Sequence, residues 1–386
     1  MIVNNSLDEV KKRESALKII KSIMSDNGRS GLYDVTGLSG AFLASENDLN
    51  LLETYVGPAI FEDELQIYGK EHLGGEKLLG VNRTSSGILA TILALVEEGS
   101  NVSHFLAEFP AHPSIPRSCK LVGASYNEYV DIDKFEILDN TSLVVITGAT
   151  MDHKVISESL FKKVVEIAHS KNIPVLVDDA SGARLRTAIF NQKKAIELGA
   201  DLVVTSTDKL MLGPRGGLMA GREDLINQVK LKATQFGLEA QPPLILAMVN
   251  GLKEYKKDNL VKAFSRKEEF FKLLSSKYSF FKLSPTGVMI KEEDLADDIK
   301  ERNIESDLSV KDFAFLFAMV LLKEEGIITI PAVGMPGASA TIRFDLSTQD
   351  VVDIDLDVLI KKIDDSFNIF LNLIDDVDSA KKLILG

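Results

Sequence analysis

Lys209 is the residue of this sequence best placed to act as a nucleophile. It follows a short apolar run that ends in hydroxyl side chains and Asp208, and it precedes a glycine-rich hairpin over residues 213–217. A lysine just past a buried strand loses its proton more readily than a surface lysine, so its amine can serve as a nucleophile. Alternatively, Lys209 caps the strand and points into water, and the glycines serve only a tight turn. This window alone leaves both interpretations open.

Asp178 is a second candidate, at the end of the apolar run 173–177. A buried carboxylate without a partner is costly, and a protonated pyridine nitrogen is one partner that would satisfy it. A structural ion pair with Arg184 or Arg186 is the alternative. Ala180 would point the same way as Asp178 along an extended chain, which leaves room for a flat ring.

Small hydroxyl residues stand immediately before a strongly apolar helical segment. They are Thr84, Ser85 and Ser86, followed by Gly87. Backbone N–H groups and hydroxyls there converge on the positive end of a helix dipole, which suits a phosphate group. An ordinary Ser/Thr helix cap explains the same residues, and on this window alone it is the simpler explanation.

Alternating strands and helices must position these residues. The predicted elements are strands at 102–108, 120–126, 143–147 and 173–177 and a helix at 158–171. Continuous apolar strands separated by helices indicate a parallel or mixed sheet covered on both faces, and ligands of such sheets gather at the carboxyl ends of the strands. The residues at or just beyond such ends are His112, Thr147, Asp178 and Lys209. Their convergence favours a shared site over the separate alternatives.

Composition narrows the class of protein. Acidic residues exceed basic ones by 57 to 44, a formal charge of -13, which disfavours non-specific attraction to nucleic acid except through a local basic patch. The single cysteine, Cys119, excludes an intramolecular disulfide and a cysteine-cluster metal site, and we expect no metal. No apolar run is long enough to span a bilayer, and the N-terminus is a charged amphipathic stretch rather than a signal peptide. A cytoplasmic protein is the expectation.

Taken in order, these windows resemble the pyridoxal phosphate enzymes of the aspartate aminotransferase fold, called fold type I. The segment Asp208-Lys209-Leu-Met-Leu-Gly213-Pro214-Arg-Gly-Gly217 more closely resembles bacterial selenocysteine synthase and its archaeal relatives. The resemblance covers roughly residues 30–350. It implies an α/β fold with a large domain, whose mostly parallel mixed sheet lies between helices, and a small α+β C-terminal domain.

The resemblance also implies a domain plan. We expect an N-terminal helix and arm over residues 1–50, a large cofactor-binding domain over 51–255 and a small C-terminal domain over 256–386. An interdomain helix is expected near residues 244–265. Enzymes of this fold build their sites at a subunit boundary, so a homodimer or a larger closed assembly is implied.

The resemblance assigns roles to the candidate residues. Lys209 would form a Schiff base with the cofactor and move the α-proton, and Asp178 would hold the pyridinium proton. His112 would stack on the ring, the helix start would take the phosphate, and Ser206 would reach that phosphate from the strand before the lysine. The implied cofactor-binding set is Thr84, Ser85, Ser86, Gly87, His112, Asp178, Ala180, Ser206 and Lys209.

Two arginines compete for an anionic substrate. Arg343 follows the loop at 331–338 and is the candidate for a bidentate carboxylate clamp, with a surface salt bridge as the alternative. Arg215, in the hairpin after the lysine, is the competing candidate.

The implied activity is β-elimination or β-replacement on a small amino acid, by a lyase or a sulfur or selenium transferase. Transamination and decarboxylation stay open, because the reaction depends on which α-bond lies perpendicular to the ring. The short chain before the cofactor core and the acidic charge disfavour a charged tRNA as substrate. A tRNA-dependent transferase and a non-catalytic, cofactor-carrying interaction protein are the alternatives.

Overall fold

The computed structural model describes residues 1–38 and 40–386, which divide into two compact units. The small unit combines Met1–Leu38 with Asp258–Gly386, and the large unit spans Ser39–Lys257. The strands are β1 (Tyr33–Asp34), β2 (Lys77–Val81), β3 (Asn101–Phe105), β4 (Ser125–Tyr129), β5 (Thr141–Thr147), β6 (Val175–Asp178), β7 (Leu202–Ser206), β8 (Gly217–Gly221), β9 (Phe281–Ser284), β10 (Gly287–Ile290), β11 (Ile327–Ile328) and β12 (Ile342–Asp345).

The α-helices are α1 (Ser6–Asn27), α2 (Glu46–Leu49), α3 (Val56–Leu73), α4 (Thr84–Leu95), α5 (Ser114–Leu121), α6 (Glu158–Ser170), α7 (Gly182–Arg184), α8 (Glu223–Gln235), α9 (Pro242–Lys253), α10 (Asp258–Ser275), α11 (Glu292–Glu301), α12 (Val310–Glu325), α13 (Ile330–Val333), α14 (Leu356–Leu371) and α15 (Val377–Leu385). None of the helices within residues 1–38 and 40–386 combines the length and apolar character needed to cross a bilayer.

The large unit is organised around a seven-stranded sheet of order β2-β8-β7-β6-β5-β3-β4. Strand β8 is antiparallel to both of its neighbours, whereas the pairs from β7 to β4 are all parallel. The prediction of a mostly parallel, mixed sheet is therefore confirmed. Because β8 alone runs the other way, the carboxyl ends of the other six strands lie at one edge of the sheet.

Two apolar cores cover the two faces of this sheet. Residues such as Val145, Leu176 and Val204 pack against α4, α5 and α8, and we call this the α4 face. Residues such as Val144 and Val177 pack on the other side against α3, α6 and α9, and we call this the α6 face. Successive strand residues alternate between the faces, so the unbroken apolar runs of the sequence supply both cores.

Two sequence-based element predictions are wrong in part. The segment 120–126 was expected to be a strand, but α5 continues to Leu121 and β4 begins only at Ser125. Gly123, with φ of +74°, turns the chain between them, a conformation that glycine adopts without steric cost. The expected helix near 244–265 is two helices, because α9 ends at Lys253 and α10 starts at Asp258.

The small unit has an α+β composition. It contains the antiparallel sheet β12-β10-β9 and the parallel pair β1-β11, around a core to which α12 and α14 contribute. An N-terminal helix and arm were expected over residues 1–50; α1 lies within this range, and residues 1–38 belong to the small unit. The carboxylate of Asp312 accepts hydrogen bonds from the backbone N–H groups of Ile2, at 2.8 Å, and Val3, at 3.2 Å, which holds the chain start in place.

Candidate active site

Three strands of the large unit end in a polar residue on the α4 face. Thr147 closes β5, Asp178 closes β6 and Ser206 closes β7. The residues two positions earlier in each strand, among them Leu176 before Asp178, belong to the apolar core of that face. Side chains two apart in a strand share a face, so all three polar groups lie above the same core at the carboxyl edge of the sheet.

The carboxyl group of Asp178 is buried and incompletely hydrogen-bonded. Asp178 is only 6% exposed, and its Oδ1 has no hydrogen-bond partner in the part of the chain that the structure describes. Burial raises the pKa of Asp178 to about 6, while the charge of Lys209 lowers it and that of Asp179 raises it further. An unpaired buried acceptor of this kind requires a donor from outside these residues.

The ion pair that was the alternative for Asp178 belongs to Asp179 instead. Arg186 Nη2 lies 2.5 Å from Asp179 Oδ2, Nε lies 3.1 Å from Oδ1, and both side chains are fully buried. Arg184 donates to the Ala180 carbonyl oxygen at 3.4 Å and to Thr205 Oγ1 at 3.2 Å. Neither arginine forms an ion pair with Asp178, and that alternative is wrong.

Lys209 sits at the start of a closed loop after β7. The Thr207 backbone N–H donates to the Gly216 carbonyl oxygen at 3.0 Å, and Thr207 Oγ1 donates to the Pro214 carbonyl oxygen at 2.7 Å. A Cβ atom on Gly213 would lie 2.2 Å from the Thr207 carbonyl oxygen, so this glycine is required by close packing. The half-buried Lys209 is close enough for its charge to act on both Asp178 and His112.

Ser206 is engaged by its own neighbour. Its hydroxyl donates to Asp208 Oδ1, and Asp208 Oδ2 lies 3.9 Å from Nε of the exposed Arg215. The hydroxyl proton of Ser206 is therefore committed to Asp208. The prediction that Ser206 reaches a phosphate stays a prediction, and in this arrangement its oxygen could contribute only as an acceptor.

The start of α4 has the geometry of an anion site rather than of an ordinary cap. The N-cap residue is Arg83, and no side-chain hydrogen bond from the described residues caps the helix. Thr84, Ser85 and Ser86 occupy the first turn itself, so the Ser/Thr cap expected as the alternative is not formed. The Ser86 backbone N–H donates to the Arg83 carbonyl oxygen at 2.9 Å, whereas no side chain caps the N–H groups of Thr84 and Ser85.

Two glycines let this helix start approach the lysine loop and the sheet. A Cβ atom on Gly217, the first residue of β8, would lie 2.7 Å from the Thr84 backbone nitrogen. A Cβ atom on Gly87 would lie 2.8 Å from Met219 Sδ. The end of the lysine loop is thus in direct contact with the N-terminus of α4.

His112 lies in the loop between β3 and α5. Its Nδ1 is 2.8 Å from Ser114 Oγ and 3.3 Å from the Ser114 backbone nitrogen. Part of the His112 ring is exposed to solvent. Its pKa is nevertheless lowered to about 4, first by loss of hydration among the surrounding atoms and then by the positive charges of Lys209, Arg117 and Arg83. The imidazole is therefore neutral at physiological pH.

Arg343 and Ala180 complete the predicted set. Arg343 lies on β12 of the small unit, is 5% exposed and donates through Nη2 to the Thr36 carbonyl oxygen at 3.3 Å. Its burial excludes the surface salt bridge that was its alternative. Ala180 is half-buried two residues after Asp178, and its carbonyl oxygen accepts from the Ser206 backbone N–H at 3.2 Å.

Sequence reasoning missed a buried histidine behind the site. His104 of β3 lies between Tyr126 and Thr147, with Nδ1 2.8 Å from the Tyr126 oxygen and Nε2 2.8 Å from Thr147 Oγ1. Burial lowers the pKa of His104 to about 3, so the ring is neutral. The sequence signals His104 only by its position: it stands two residues after Val102 in β3, so it shares the strand face that packs into the apolar core.

These residues fit pyridoxal phosphate. Asp178 Oδ1 is a buried acceptor awaiting a donor, the α4 start is an uncapped helix N-terminus, and Lys209 lies within electrostatic reach of Asp178. No group of three or more His, Cys, Asp or Glu side chains that could hold a metal ion occurs in residues 1–38 and 40–386.

Comparison with known proteins gives the same cofactor. A family model described as "UPF0425 C-terminal domain" matches residues 277–355, and one described as "L-seryl-tRNA selenium transferase" matches residues 122–301. A UPF0425 pyridoxal phosphate-dependent protein of Methanothermobacter thermautotrophicus is 52% identical, over 100% of each chain. The corresponding protein of Methanococcus maripaludis is 43% identical over 90% of this chain and 95% of its own.

More distant similarities concern a related transferase and the fold. The L-seryl-tRNA(Sec) selenium transferase of Aquifex aeolicus is 28% identical over 43% of this chain and 41% of its own length. N-succinyldiaminopimelate aminotransferase from Mycobacterium tuberculosis superposes with a TM-score of 0.55 at 17% identity, covering 92% of this chain and 89% of that one. SepCysS, solved with the SepCysE N-terminal domain, gives 0.57 at 15% identity, covering 89% and 95%. These structures confirm the expected fold type I.

Proposed function

This chain belongs to the UPF0425 family of pyridoxal phosphate-dependent proteins, and on that premise we propose that it is a lyase or transferase acting at the β-carbon of a small amino acid. Bound pyridoxal phosphate withdraws electrons from the bonds at the α-carbon of an attached amino substrate. The observation that carries the proposal is Asp178, a buried acceptor without an arginine partner, within electrostatic reach of Lys209.

Lys209 and Asp178 would do the central work. The amine of Lys209 would hold the cofactor through its aldehyde carbon and afterwards take the proton from the α-carbon of the substrate. Asp178 Oδ1 would accept the hydrogen bond of the protonated ring nitrogen, a charge-assisted bond that keeps that proton in place. The positive charge of Lys209 already favours the ionised form of Asp178, as this role requires.

The remaining residues would bind and orient. The first turn of α4 would take the phosphate on the uncapped N–H groups of Thr84 and Ser85 and on the hydroxyls of Thr84, Ser85 and Ser86. The neutral ring of His112 would lie on a face of the cofactor ring, since an uncharged imidazole loses little hydration in such a contact. Ala180 would leave the opposite side open to a flat ring.

The choice of reaction rests on the selenium transferase relatives. The matching family model covers residues 122–301, a span that includes both Asp178 and Lys209. Replacement at the β-carbon of a serine or cysteine derivative is the chemistry that such transferases suggest for this site. The formal charge of -13 supports a small substrate over a polyanion, and Arg215 and Arg343 are the candidate carboxylate ligands.

Attachment of the cofactor is tested by reduction with borohydride. Purified protein loaded with pyridoxal phosphate should become covalently labelled, with the label in the tryptic peptide that contains Lys209. Lys209→Ala should lose the label, whereas Lys120→Ala, which removes an exposed lysine at the end of α5, should keep it. Labelling of wild type at another lysine would exclude the assigned role of Lys209.

The reaction is tested on free amino acids. Loaded enzyme should release pyruvate from an activated serine or cysteine derivative, or exchange its β-substituent with added sulfide or selenide. Lys209→Ala should reduce this rate to background, and Lys120→Ala should not change it. Absence of turnover across a broad panel by fully loaded protein would reject the small-substrate proposal.

A tRNA-dependent transferase is the second candidate, favoured by the names of the relatives matched over 24–44% of the chain. It requires tRNA binding that weakens as salt rises, because basic side chains must displace the counterions of the phosphates. A flat binding curve at low salt would eliminate it. Saturable, salt-sensitive binding of an aminoacylated tRNA together with inactivity on free amino acids would favour it instead.

A further inference from the structure

A hydrogen-bond chain runs behind the candidate site on the α4 face, from the half-buried edge of the sheet to the buried His104. It begins at the half-buried Glu128 on the edge strand β4 and continues through the Tyr126 hydroxyl and the His104 ring to the hydroxyl of Thr147. The three links measure 3.0, 2.8 and 2.8 Å, which are ordinary hydrogen-bond lengths. His104 is 0% exposed, so its ring is shielded from bulk solvent.

The donor and the acceptor of each link in this hydrogen-bond chain follow from its carboxylate end, Glu128. Tyr126 has one hydroxyl proton and donates it to Glu128 Oε2, because an ionised carboxylate can only accept. The Tyr126 oxygen must then accept from Nδ1–H of His104. A neutral histidine carries one N–H, so its Nε2 is an acceptor and receives the hydroxyl proton of Thr147.

Thr147 is the register neighbour of Asp178. The two residues face each other across β5 and β6 and lie on the same face of the sheet, at the strand spacing of about 4.8 Å. The Thr147 hydroxyl makes no hydrogen bond to Asp178 in this arrangement and would have to rotate about χ1 to donate to that carboxyl group. The proton of Thr147 is turned toward His104 instead, and Asp178 Oδ1 is the atom left without a partner among the described residues.

We propose that Glu128, Tyr126 and His104 are positioning residues that withdraw the Thr147 proton and so keep Asp178 Oδ1 available to the ring nitrogen of pyridoxal phosphate. This inference rests on the proposed function of Asp178. The chain acts through Thr147 and none of its first three members touches the cofactor. Removal of the Tyr126 hydroxyl should turn the His104 proton to Nε2, release the Thr147 proton and let it compete for Asp178.

The proton arrangement is measured first, without cofactor. Two-bond 1H–15N correlation spectra of full-length protein carrying 15N-histidine distinguish Nδ1–H from Nε2–H tautomers. The His104 signal should show Nδ1–H in wild type and Nε2–H in Tyr126→Phe. Glu128→Ala, which removes the acceptor of the Tyr126 hydroxyl at a half-buried edge position, should produce the same change. An Nε2–H tautomer in wild type would overturn the proposal.

The consequence is measured as cofactor affinity by absorption titration. Tyr126→Phe should weaken binding about fivefold to tenfold, the effect expected of one competing hydrogen bond. The double variant Tyr126→Phe with Thr147→Val should bind within about twofold of wild type, because the competing hydroxyl is gone. Tyr129→Phe removes a hydroxyl from the same strand on the α6 face and should change nothing.

The two failures are distinguishable. Unchanged affinity in Tyr126→Phe despite a changed tautomer, or no recovery in the double variant, would overturn the positioning role while the borohydride label on Lys209 still stands. Failure of wild type to bind the cofactor would reject the proposed function, and the tautomer spectra would remain interpretable.

Discussion

Asp178 and Asp179 are neighbours in the chain, but their carboxyl groups lie on opposite faces of the seven-stranded sheet. On the α6 face, Asp179 is matched by Arg186 through two hydrogen bonds, and the Arg186 guanidinium lies 5.2 Å from the centre of the Phe161 ring. On the α4 face, Asp178 is also buried but has an oxygen with no partner in the described chain. The first carboxylate is completed by the fold and the second requires a ligand.

The electrostatic cost of burying a carboxylate without a partner falls on the α4 face of the sheet. Burial raises the pKa of Asp178, and the fixed negative charge of Asp179 raises it further. An unpaired buried charge is tolerated in a fold when it gains a partner in the functional state, and active sites concentrate such groups. The contrast between the two carboxylates predicts opposite effects of substitution on stability and on cofactor binding.

The largest effect is expected at the completed pair. Arg186→Met should lower the free energy of unfolding by about 3–5 kcal/mol, because it leaves the charge of Asp179 buried without a partner. Urea denaturation of the cofactor-free protein measures this. The double variant Arg186→Met with Asp179→Leu should recover most of the loss. A change below about 1 kcal/mol in the single variant would mean that the α6 face does not depend on this pair.

A pH-dependent effect of roughly 3 kcal/mol is expected from Asp178. Its pKa is raised from 3.8 to about 6 in the folded, cofactor-free protein, so the folded state holds the proton more tightly than the unfolded chain. The stabilisation is fully present below about pH 4 and is lost as the pH rises through about 6. Denaturation from pH 4 to 7 should show this decline in wild type, and Asp178→Asn should remove that component.

Cofactor affinity should respond in the opposite sense. Asp178→Asn should weaken pyridoxal phosphate binding about 10- to 100-fold, the value of one charge-assisted hydrogen bond. The same variant should unfold at pH 8 no more easily than wild type, since it removes an unpaired charge. Titration by absorption measures affinity, and the unfolding midpoint serves as the control. Loss of stability together with unchanged affinity would show that Asp178 is structural.

The sequence predicted the edge of the sheet better than the details of its chemistry. Lys209 and Asp178 were recognisable because a charged residue stood at the end of an apolar run, and that pattern directly reports a carboxyl-edge position. The pairing of Arg186 with Asp179 rather than Asp178 depends on which face each carboxyl group takes. Alternation along β6 puts the two carboxyl groups on opposite faces, but the face that Arg186 reaches is set by the path of the chain after β6, which local sequence patterns do not encode.

Two other features escaped because their causes are not local. His104 stands in the middle of a buried strand, and its role depends on partners from β4 and β5 that lie 22 and 43 residues away. The segment 120–126 has the apolar character of a strand, but α5 extends through its first two residues before Gly123 turns the chain. The association of residues 1–38 with the small unit is likewise a long-range contact.

Two helix N-termini show a similar contrast, between polar groups that the protein itself satisfies and polar groups that it leaves for a ligand. At α12, Ser309 accepts from the Asp312 backbone N–H, and the Asp312 carboxylate in turn accepts from the Ser309 backbone N–H at 3.1 Å. This reciprocal pair is a capping box. At α4, the hydroxyl residues occupy the first turn and the described residues provide no side-chain cap. One helix start stabilises the fold, and the other has the geometry of an anion site.

Serine-to-alanine substitutions at the two helices should therefore separate stability from binding, with the smallest effects predicted here. Ser309→Ala should lower the free energy of unfolding by about 1 kcal/mol and leave phosphate binding unchanged. Ser85→Ala should change the free energy of unfolding by less than about 0.5 kcal/mol, because Ser85 does not cap its helix. It should weaken cofactor affinity by about fivefold through loss of one phosphate donor. Equal losses of stability in the two variants would mean that the α4 start is closed by its own side chains in solution, and that the phosphate of the cofactor must be held elsewhere.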